Sequence, residues 1–436
     1  KKTKQVPLPD SDNDPDPPSA YQDDYAPDEA GWTRSLEDVR IRSFRGKKPH
    51  GLKFTKKESP LKYFLKFFPL ALFTMIVTWT NKSLRKGRQR PTSLQEIRAW
   101  VGIHLMMGLV KINNYKDYWS SHPGLRNKLI SQTMKRHRFD ALSQHISCND
   151  SDKNPDLIRD KVHRYHAKKK SPLHPILPAW DKVRRKCLRN YKPHRELSLD
   201  EAMVKYRGFK ASVRKFFMPF KPIRTGFKIY VLAEAATGFF INFTIHPHGG
   251  TPTKMVDIVM ATAKHQLNLY HHIFTDRLYT SVSLARTLLA KRTYLTGAVK
   301  SNSKGLPKDF TTSQSNPNHK KVKHLNTCER GTFYTRQNGQ LTSCLWKDSK
   351  VMMLLSSAHQ GWRDPNTGTV VRKVANADGR LKKKCIPAPP QAVDYTKNMG
   401  GVDKGDQLRS YHTCSRKSQE CRPRLREDAR SECKMV

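Results

Sequence analysis

The spacing of hydrophobic residues along the chain changes from a helical to a strand period near residue 195. Before that point, SLQEIRAWVGIHLMMGLV repeats apolar residues at helical spacing, and Ser93 and Glu96 stand in the positions of a capping box. The most apolar run, FFPLALFTMIVTW (67–79), is short of the ~20 residues that span a bilayer, and it predicts a buried helix. We therefore predict a helical region over 46–190.

After residue 195, apolar and polar positions alternate. The stretches ELSLDEAMVKY, FKIYVLAEA and FFINFTIHP predict three successive antiparallel strands. A helix over 254–269, a strand HHIFTD, a helix SVSLARTLLAKR and a strand TYLTGAV follow. This order predicts a mixed α/β layer. Residues 301–390 interrupt it with polar loops, an Asn338-Gly339 turn and a basic tract LKKKC, and they predict a β-rich insertion.

The charge balance adds a candidate partner to this picture. The chain carries 82 Lys and Arg against 37 Asp and Glu, a net charge of +45, which favours a polyanion and most simply nucleic acid. A basic membrane-surface protein is the second interpretation, but it requires an amphipathic basic helix without catalytic motifs. Residues 1–30 are acidic and rich in proline, and they predict a disordered tail. For the basic runs 81–90 and 161–170, solvated linkers and phosphate contacts are equally favoured.

The cysteines and the first residues of the chain give information on the cellular compartment of the protein. The eight cysteines fall singly and without a CxxC pair, so they predict neither a disulfide framework nor a zinc site. This pattern fits a reducing compartment, the cytosol or the nucleus. The chain begins at Lys1 without a methionine or a visible signal peptide, and we expect the true N-terminus to be missing.

Three aspartates occupy positions that are suited to chemistry. Asp200 follows two leucines of the first strand and points away from them, Asp276 closes a short strand, and Asp403 stands where a helix is expected to begin. Carboxylates brought together in this way repel one another unless cations hold them. Two Mg²⁺ or Mn²⁺ ions about 3.5 to 4 Å apart would satisfy them and act on a phosphodiester. Taken singly, each aspartate is also typical of a turn or a cap.

Other charged residues near these aspartates have two interpretations each. Asp406 is either a fourth carboxylate near the metals or a first-turn charge that the helix dipole favours. Lys205, Arg207 and Lys210 follow the first strand and are candidates for phosphate contacts, although solvent exposure alone also explains them.

Several blocks of the sequence resemble the piggyBac transposase family in order and spacing. They are NKSLRKG, TSLQEIRAWVGIHLMMGLVKINNYKDYWSSHP, MKRHRFDALSQHISCND, LSLDEAMVKYRGF, FMPFKPIRTGFKIYVLAEAATGFF, IFTDRLYTS, WKDSKVMMLLSSAH and YTKNMGGVDKGDQLRSYHTCSRK. The resemblance extends from about residue 47 to 418. So many separate blocks in one order exclude a chance match.

The resemblance implies an α/β fold: an RNase H-like DDD catalytic domain with a β-rich insertion, preceded by a helical DNA-binding and dimerisation domain. The expected segments are an acidic disordered tail (1–45), the helical domain (46–190), the first part of the catalytic domain (191–300), the insertion (301–390), the returning part of the catalytic domain (391–418) and a divergent tail (419–436).

The resemblance also implies an activity. Such enzymes act as homodimers on double-stranded DNA with Mg²⁺ or Mn²⁺, cut at transposon ends, excise through a hairpin intermediate and join the DNA at TTAA targets. Asp200 in LSLDEAM, Asp276 in FTDRLYTS and Asp403 in GGVD match the three catalytic, metal-binding aspartates. Asp406 matches the additional aspartate of the GVDxxDQ block.

Two departures from the family pattern change the expectation for activity. The family has Asn after the second aspartate, whereas this chain has Arg277, which either competes with the metal or contacts DNA; strand alternation favours DNA. Family members continue after CSRK with an apolar helix and often a Cys/His zinc tail, whereas this chain ends SQECRPRLREDARSECKMV. We therefore expect a C-terminally truncated or frameshifted copy without a zinc site.

Two functional hypotheses remain open at this point. The first is a metal-dependent, nuclear DNA transposase. The second is a domesticated or truncated derivative that binds DNA but is catalytically inactive. DNA binding without metal-dependent cleavage would favour the second.

Overall fold

The computed structural model describes residues 30–46, 58–170, 174–205, 216–219, 223–245, 254–311, 320–360, 368–375 and 380–411. The chain divides into two compact units. Unit 1 consists of Lys1–Gly46 and Gln266–Met399, and unit 2 of Lys47–His265 and Gly400–Val436. These boundaries reflect packing, and the functional domains expected from the sequence stay a prediction.

The first part of unit 2 is helical, as the apolar spacing predicts. Its α-helices are α1 (Pro60–Phe67), α2 (Leu70–Lys86), α3 (Leu94–Leu109), α4 (Lys128–Thr133), α5 (Arg136–His145), α6 (Lys161–Lys170) and α7 (Leu177–Asn190). Leu84, Ile97 and Leu142 are fully buried in their shared core. The N-cap of the predicted capping box is present, since the Glu96 N–H donates to the Ser93 hydroxyl at 3.2 Å, whereas the Glu96 carboxylate accepts from the Thr92 hydroxyl at 2.7 Å.

An ion pair ties α3 to α5 within this helical core. The Arg138 guanidinium, which is buried, donates to both carboxylate oxygens of Glu96 at 2.7 Å and to the carbonyls of Arg90 and Pro91. These hydrogen bonds lower the pKa of Glu96, with Arg138 as the largest cause.

The apolar run at 67–79 was predicted as one buried helix, but the helix breaks at Pro69, between α1 and α2, because proline cannot continue the preceding helix. Within the run, Leu72 and Phe73 of α2 are buried, whereas Leu70 is exposed. Among the helices that the structure describes, no single one is both long and apolar enough to cross a membrane. In the described part of the chain, α1 and α2 taken as a pair, with a 65° bend between them, reach that length and apolar composition.

The second part of unit 2 is a sheet, again as the alternation predicts. It contains β1 (Glu196–Lys205), β2 (Phe216–Phe217), β3 (Thr225–Glu234) and β4 (Phe240–Ile245), followed by α8 (Met255–Ala263). The long strand β3 is central, because it pairs antiparallel with β1 along one side and with β2 and β4 along the other. Trp180 of α7 packs edge-on against Phe243 of β4, so the helical part is joined to the sheet.

Unit 1 contains a second set of strands. The elements are β5 (His272–Thr275), α9 (Val282–Ala290), β6 (Tyr294–Ala298), α10 (Lys320–Thr327), β7 (Phe333–Asn338), β8 (Leu341–Lys347), β9 (Val351–Ser356), β10 (Thr369–Ala375), β11 (Leu381–Pro387) and α11 (Pro390–Asn398). The strand order is β5-β6-β9-β8-β7, in which β5 and β6 are parallel and the other pairs are antiparallel.

The predicted β-rich insertion is therefore only partly a separate sheet. Its strands β7 to β9 continue from β6, because β9 pairs with the free side of β6 through Thr296 and Ser356. The strands β10 and β11 form a two-stranded sheet of their own. The basic tract LKKKC lies in β11.

The described part of the predicted disordered tail differs from that prediction. Residues 30–46 pack against the rest of unit 1. Thr33 forms a β-bridge with Gln337, and the buried Trp32 indole donates to the Gly305 carbonyl at 2.8 Å. The physical reason is that one large aromatic side chain and the hydrogen bonds around it outweigh the unfavourable composition of the preceding stretch. Residues 1–29 lie outside the described residues.

After unit 1 the chain returns to unit 2 as α12 (Gly401–Tyr411). The helix begins two residues earlier than the expected start at Asp403. The stretch 412–436, which holds the divergent C-terminal sequence, lies outside the described residues.

Candidate active site

Asp200 lies in the middle of β1, where its register opposite Val231 of β3 fixes the face on which it stands. On the same face, Ser198 pairs with Ala233 and Ala202 pairs with Ile229. Leu197 and Leu199 occupy the other face, as the alternation predicts. Asp200 is only 8% exposed, so its carboxylate is close to fully buried.

The helix α12 covers this face of the sheet. Val402 is fully buried in a cluster with Ala202, Val231 and Ala233, and Gly401 lies against Ser198 and Ala235. Asp403 is the next residue, in the first turn of the helix, and its side chain is exposed. Unit 2 thus places Asp200 and Asp403 on one side of the same sheet.

Close approach of two backbones makes this packing possible. A Cβ atom added to Gly405 would lie 2.5 Å from the Gly238 carbonyl oxygen and against the Phe240 ring. Gly238 itself, in the turn between β3 and β4, has φ of +74°, which favours glycine. Glycine at 238 and 405 therefore permits the contact between α12 and the sheet. Of the two glycines predicted to permit a tight entry, Gly401 also lies against the sheet, whereas a Cβ added at Gly400 meets nothing within 4 Å.

Charged groups reinforce the contact between α12 and β1. Arg409 donates to the Met203 carbonyl at 2.7 Å and to the Asp406 carboxylate at 2.9 Å. Asp406 thus forms an ion pair with Arg409, three residues later in the same helix, and the Asp406 side chain is 26% exposed. This contact positions Arg409, and the metal role of Asp406 stays a prediction.

A buried carboxylate shapes the turn on which α12 packs. Glu234 accepts hydrogen bonds from the Tyr191 hydroxyl and the His194 N–H, and burial raises its pKa despite these hydrogen bonds. Its carbonyl accepts from the Gly238 N–H at 2.9 Å and lies beside Gly401. Glu234 was not predicted as a site residue, although its place at the end of a strand before a Thr-Gly turn could have indicated it.

Asp276 belongs to unit 1 and follows β5 directly. Its Oδ1 accepts the Leu278 N–H at 2.7 Å, and its carbonyl accepts from the backbone N–H groups of Tyr279 and Thr280. This turn fixes the direction of the carboxylate at the end of the strand. Asp276 is half-buried, and it lines a cleft of about 1070 Å³.

The cleft beside Asp276 is rich in cations. Arg277, Lys300 and Lys350 line it and are exposed. Among the residues that the structure describes, none forms an ion pair with Arg277. Neither Lys300 nor Lys350 was predicted as a site residue. Lys300 follows β6, which is parallel to β5, and the ends of such strands meet at one edge, so its position was predictable. Lys350 lies in the turn between β8 and β9, and no local pattern indicated its place in the cleft.

The acidic residue Asp348 also lines this cleft, but its charge is neutralised. Its carboxylate pairs with Arg330 and with Arg372, the latter at 2.9 Å. Burial alone would raise its pKa, but the hydrogen bonds from the two arginines outweigh burial, and the pKa of Asp348 is lowered. The cleft therefore retains a surplus of positive charge that suits an anion such as a phosphodiester.

The predicted site residues are thus distributed over both units. Asp200, Asp403 and Asp406 belong to unit 2, and Asp276 and Arg277 belong to unit 1. Lys205 is exposed at the end of β1, opposite Gly226. Arg207 and Lys210 lie outside the described residues.

The donor chemistry of the three aspartates suits hard divalent cations, which prefer carboxylate oxygens. Within each unit, the described residues contain no group of three or more His, Cys, Asp or Glu side chains arranged to hold a metal ion. The three aspartates do not belong to one unit, so their assembly into a metal site is a proposal.

The chain is similar to known transposase sequences. A family model described as Transposase IS4 matches residues 59–425. Human PiggyBac transposable element-derived protein 2 is 25% identical over 406 residues, covering 88% of this chain and 60% of the relative. Human PiggyBac transposable element-derived protein 3 is 25% identical over 436 residues, covering 91% of this chain and 67% of the relative. The chain therefore spans three fifths to two thirds of the length of these relatives.

A solved structure is also similar. It is the cryo-EM structure of a piggyBac transposase synaptic complex with hairpin DNA, with a TM-score of 0.67 and 25% sequence identity. The similarity covers 86% of this chain and 73% of that one.

Proposed function

We propose, because the chain belongs to the piggyBac transposase family, that it binds double-stranded DNA and cleaves and joins phosphodiester bonds at transposon ends. The observation that carries this proposal is the placement of Asp403, at the start of α12, on the same face of the sheet as the buried Asp200. A similar transposase has been solved with hairpin DNA, which supports DNA as the partner.

The proposal includes the layout of the catalytic domain. The strands β1, β3, β4, β5 and β6, together with α12, form an RNase H-like domain that the insertion at 301–390 interrupts. Asp200, Asp276 and Asp403 are its three catalytic aspartates. They would hold two divalent cations, Mg²⁺ or Mn²⁺, with Asp406 as the additional carboxylate. When bound, the ions stabilise charge on the phosphodiester and lower the pKa of an attacking water or hydroxyl.

The residues of the chain itself have three tasks in this proposal. Arg277, Lys300 and Lys350 bind DNA phosphates at the cleft beside Asp276, and Lys205, Arg207 and Lys210 bind them after β1. The buried position of Asp200 excludes water from one side of its carboxylate. The contact of α12 with the sheet fixes the direction from which Asp403 approaches.

We extend the proposal to the finer steps that the family resemblance implies. An oxygen nucleophile attacks the phosphorus at the transposon end and the 3′-oxygen leaves; excision proceeds through a hairpin, and the DNA is joined at TTAA targets. The active form is a homodimer that works in the nucleus.

The test is incubation of the purified chain with a labelled duplex that carries a TTAA-flanked transposon end and Mg²⁺ or Mn²⁺. Asp200→Asn, Asp276→Asn and Asp403→Asn should each abolish nicking and hairpin formation. Asp257→Asn is the matched control, because Asp257 is an exposed first-turn residue of α8. Cleavage that persists in the three variants contradicts the assignment of the site. DNA retention without cleavage by the wild-type chain means that the chain is a DNA-binding derivative of a transposase.

A further inference from the structure

The separate two-stranded sheet of unit 1 has an unusual distribution of charge. We call β10 and β11 the basic ribbon. Neither strand contains an acidic residue, and β11 carries three successive lysines, Lys382 to Lys384. The antiparallel register places Lys373 directly opposite Lys383 and Arg372 directly opposite Lys384. Like charges in directly opposed positions destabilise an antiparallel pair.

The two faces of the basic ribbon differ in how their charges are balanced. Val370 and Ile386, an opposed pair, are buried against Trp346 and mark the inner face. On that face Arg372 pairs with Asp348 and its guanidinium lies 5.9 Å from the centre of the Trp346 ring. The positive charge of Arg372 is therefore compensated within unit 1.

The outer face lacks such compensation. Alternation along the strands places Lys373, Lys383 and the exposed thiol of Cys385 there. Among the described residues, none forms an ion pair with Lys373 or with Lys383. Lys382 and Lys384 are exposed as well, although they belong to the inner face. The ribbon thus presents uncompensated cations on both faces.

We infer that the basic ribbon is a contact site for the phosphates of duplex DNA, distinct from the cleft beside Asp276. A two-stranded ribbon fits the major groove of DNA, whose two walls carry phosphates, so cations on both of its faces find partners there. A protein partner that docks on one face would leave the lysines of the other face without a partner. The repulsion between Lys373 and Lys383 falls when phosphates bind.

This inference rests on the proposed function, because it assumes that the chain binds DNA. It adds to that function a surface that no catalytic residue shares. Its failure and the failure of the proposed function are distinguishable by the behaviour of the wild-type chain.

The first test measures the affinity of the full chain for a labelled duplex between 50 and 200 mM salt. Each phosphate contact contributes about 0.9 to the slope of log Kd against log salt. The double variant Lys373→Gln/Lys383→Gln should lower that slope by about 1.8. Between 50 and 200 mM salt, the factor by which the affinity falls should therefore be about 12-fold smaller for the variant than for the wild type. The thermal midpoint of the free variant should rise or stay unchanged, because the like-charge pair is gone.

The matched control is Lys264→Gln/Lys291→Gln, which removes the same charge from two exposed lysines at the ends of α8 and α9. An equal decrease of the slope in this control overturns the inference, because net charge alone would then explain the effect. An unchanged slope in the ribbon variant also overturns it and leaves the proposed function standing. Absence of salt-dependent DNA binding by the wild-type chain contradicts both.

A second test uses the exposed thiol of the ribbon. A duplex with a disulfide-activated tether on its backbone should exchange with Cys385 and give an adduct that maps to the peptide containing this residue. The adduct at this peptide should be absent in Cys385→Ser. A wild-type chain that binds the duplex without forming this adduct overturns the inference.

Discussion

The two regions that carry the candidate catalytic aspartates are built in opposite ways. In unit 2, Asp200 is close to fully buried and α12 packs on its face of the sheet through glycines and a fully buried valine. In unit 1, Asp276 stands at the end of a strand and lines an open cleft of about 1070 Å³, whose exposed side chains include Arg277, Lys300 and Lys350. The first region is closed by packing, and the second is open to a ligand.

This difference separates two requirements of a phosphoryl-transfer site. Carboxylates that hold cations must be placed precisely, and contacts between backbones at van der Waals distance provide that precision. A phosphodiester needs space and positive charge, which an open, cation-lined cleft provides. Substitutions of packed groups in the first region should therefore have large effects on stability. Substitutions of the exposed cations in the second region should have small effects on stability but clear effects on binding.

The largest effect on stability is expected for Gly405→Ala. The new methyl group would meet the Gly238 carbonyl oxygen at 2.5 Å and the Phe240 ring, and neither can move without displacing the turn after β3. We expect a loss of about 3 kcal/mol in the free energy of unfolding, the upper end for overpacking, measured by denaturant titration.

The matched control for this substitution is Gly400→Ala, five residues earlier, where an added Cβ meets nothing within 4 Å. We expect it to change the free energy of unfolding by less than about 0.5 kcal/mol. Equal effects of the two substitutions would show that α12 is not held by the backbone contacts at Gly405.

The sequence predicts much of this arrangement, but not the contacts between elements. Alternation along β1 places Asp200 on the face away from Leu197 and Leu199, and the structure agrees because a strand has a period of two. Gly400 and Gly401 before Asp403 indicate a tight helix start. The contacts of Gly401 with Ser198 and with Gly238, however, join residues that are far apart in the chain. No local pattern encodes such a contact.

The strand pairing of unit 1 shows the same limit. The sequence predicts a β-rich insertion over 301–390, but it does not predict that the strand β9 of this segment pairs with β6. Likewise, the acidic composition of the N-terminal stretch hides the burial of Trp32, which depends on the distant Gly305 carbonyl. Composition predicts the behaviour of a segment by itself and not its fit to a surface.

The second largest effect is expected for Asp348→Asn, within the open region. This carboxylate is shared by Arg330 and Arg372, and the amide leaves two guanidinium groups without a carboxylate. Loss of charge-assisted hydrogen bonds of this kind costs about 2 kcal/mol. Chemical denaturation at pH 7 measures the loss.

The pH dependence provides the control for Asp348→Asn. Despite burial, the hydrogen bonds from Arg330 and Arg372 hold the pKa of the Asp348 carboxyl below its ordinary value in the folded state. Its contribution to stability is therefore present above that ordinary value and is lost as the pH falls through the folded pKa. The wild type should therefore lose stability on acidification more steeply than Asp348→Asn. Parallel acid profiles for the two proteins would contradict the ion pairs of Asp348.

A smaller effect should separate the two roles of Asp276. Its Oδ1 accepts the Leu278 N–H at 2.7 Å, and an asparagine at this position retains that acceptor whereas an alanine does not. We expect Asp276→Ala to lose about 1 kcal/mol of stability and Asp276→Asn to lose less than about 0.5 kcal/mol. Both substitutions should abolish cleavage. The two variants would therefore differ in stability but not in activity. A variant Asp276→Asn that is as unstable as Asp276→Ala would show that the charge, and not the turn, holds the strand end.

The smallest effect on stability is expected for Lys300→Gln and Lys350→Gln at the rim of the cleft. Both side chains are exposed, so each change should alter the free energy of unfolding by less than about 0.5 kcal/mol. Each should lower the slope of log Kd against log salt for duplex DNA by about 0.9, because one phosphate contact is lost. Titrations of DNA at several salt concentrations, with Lys291→Gln as the control, measure this change. A slope equal to that of the wild type, together with reduced cleavage, would mean that these lysines act on the reacting phosphate alone. A loss of stability would mean that these exposed lysines contribute to the packing of the cleft, as the buried groups around Asp200 do in their region.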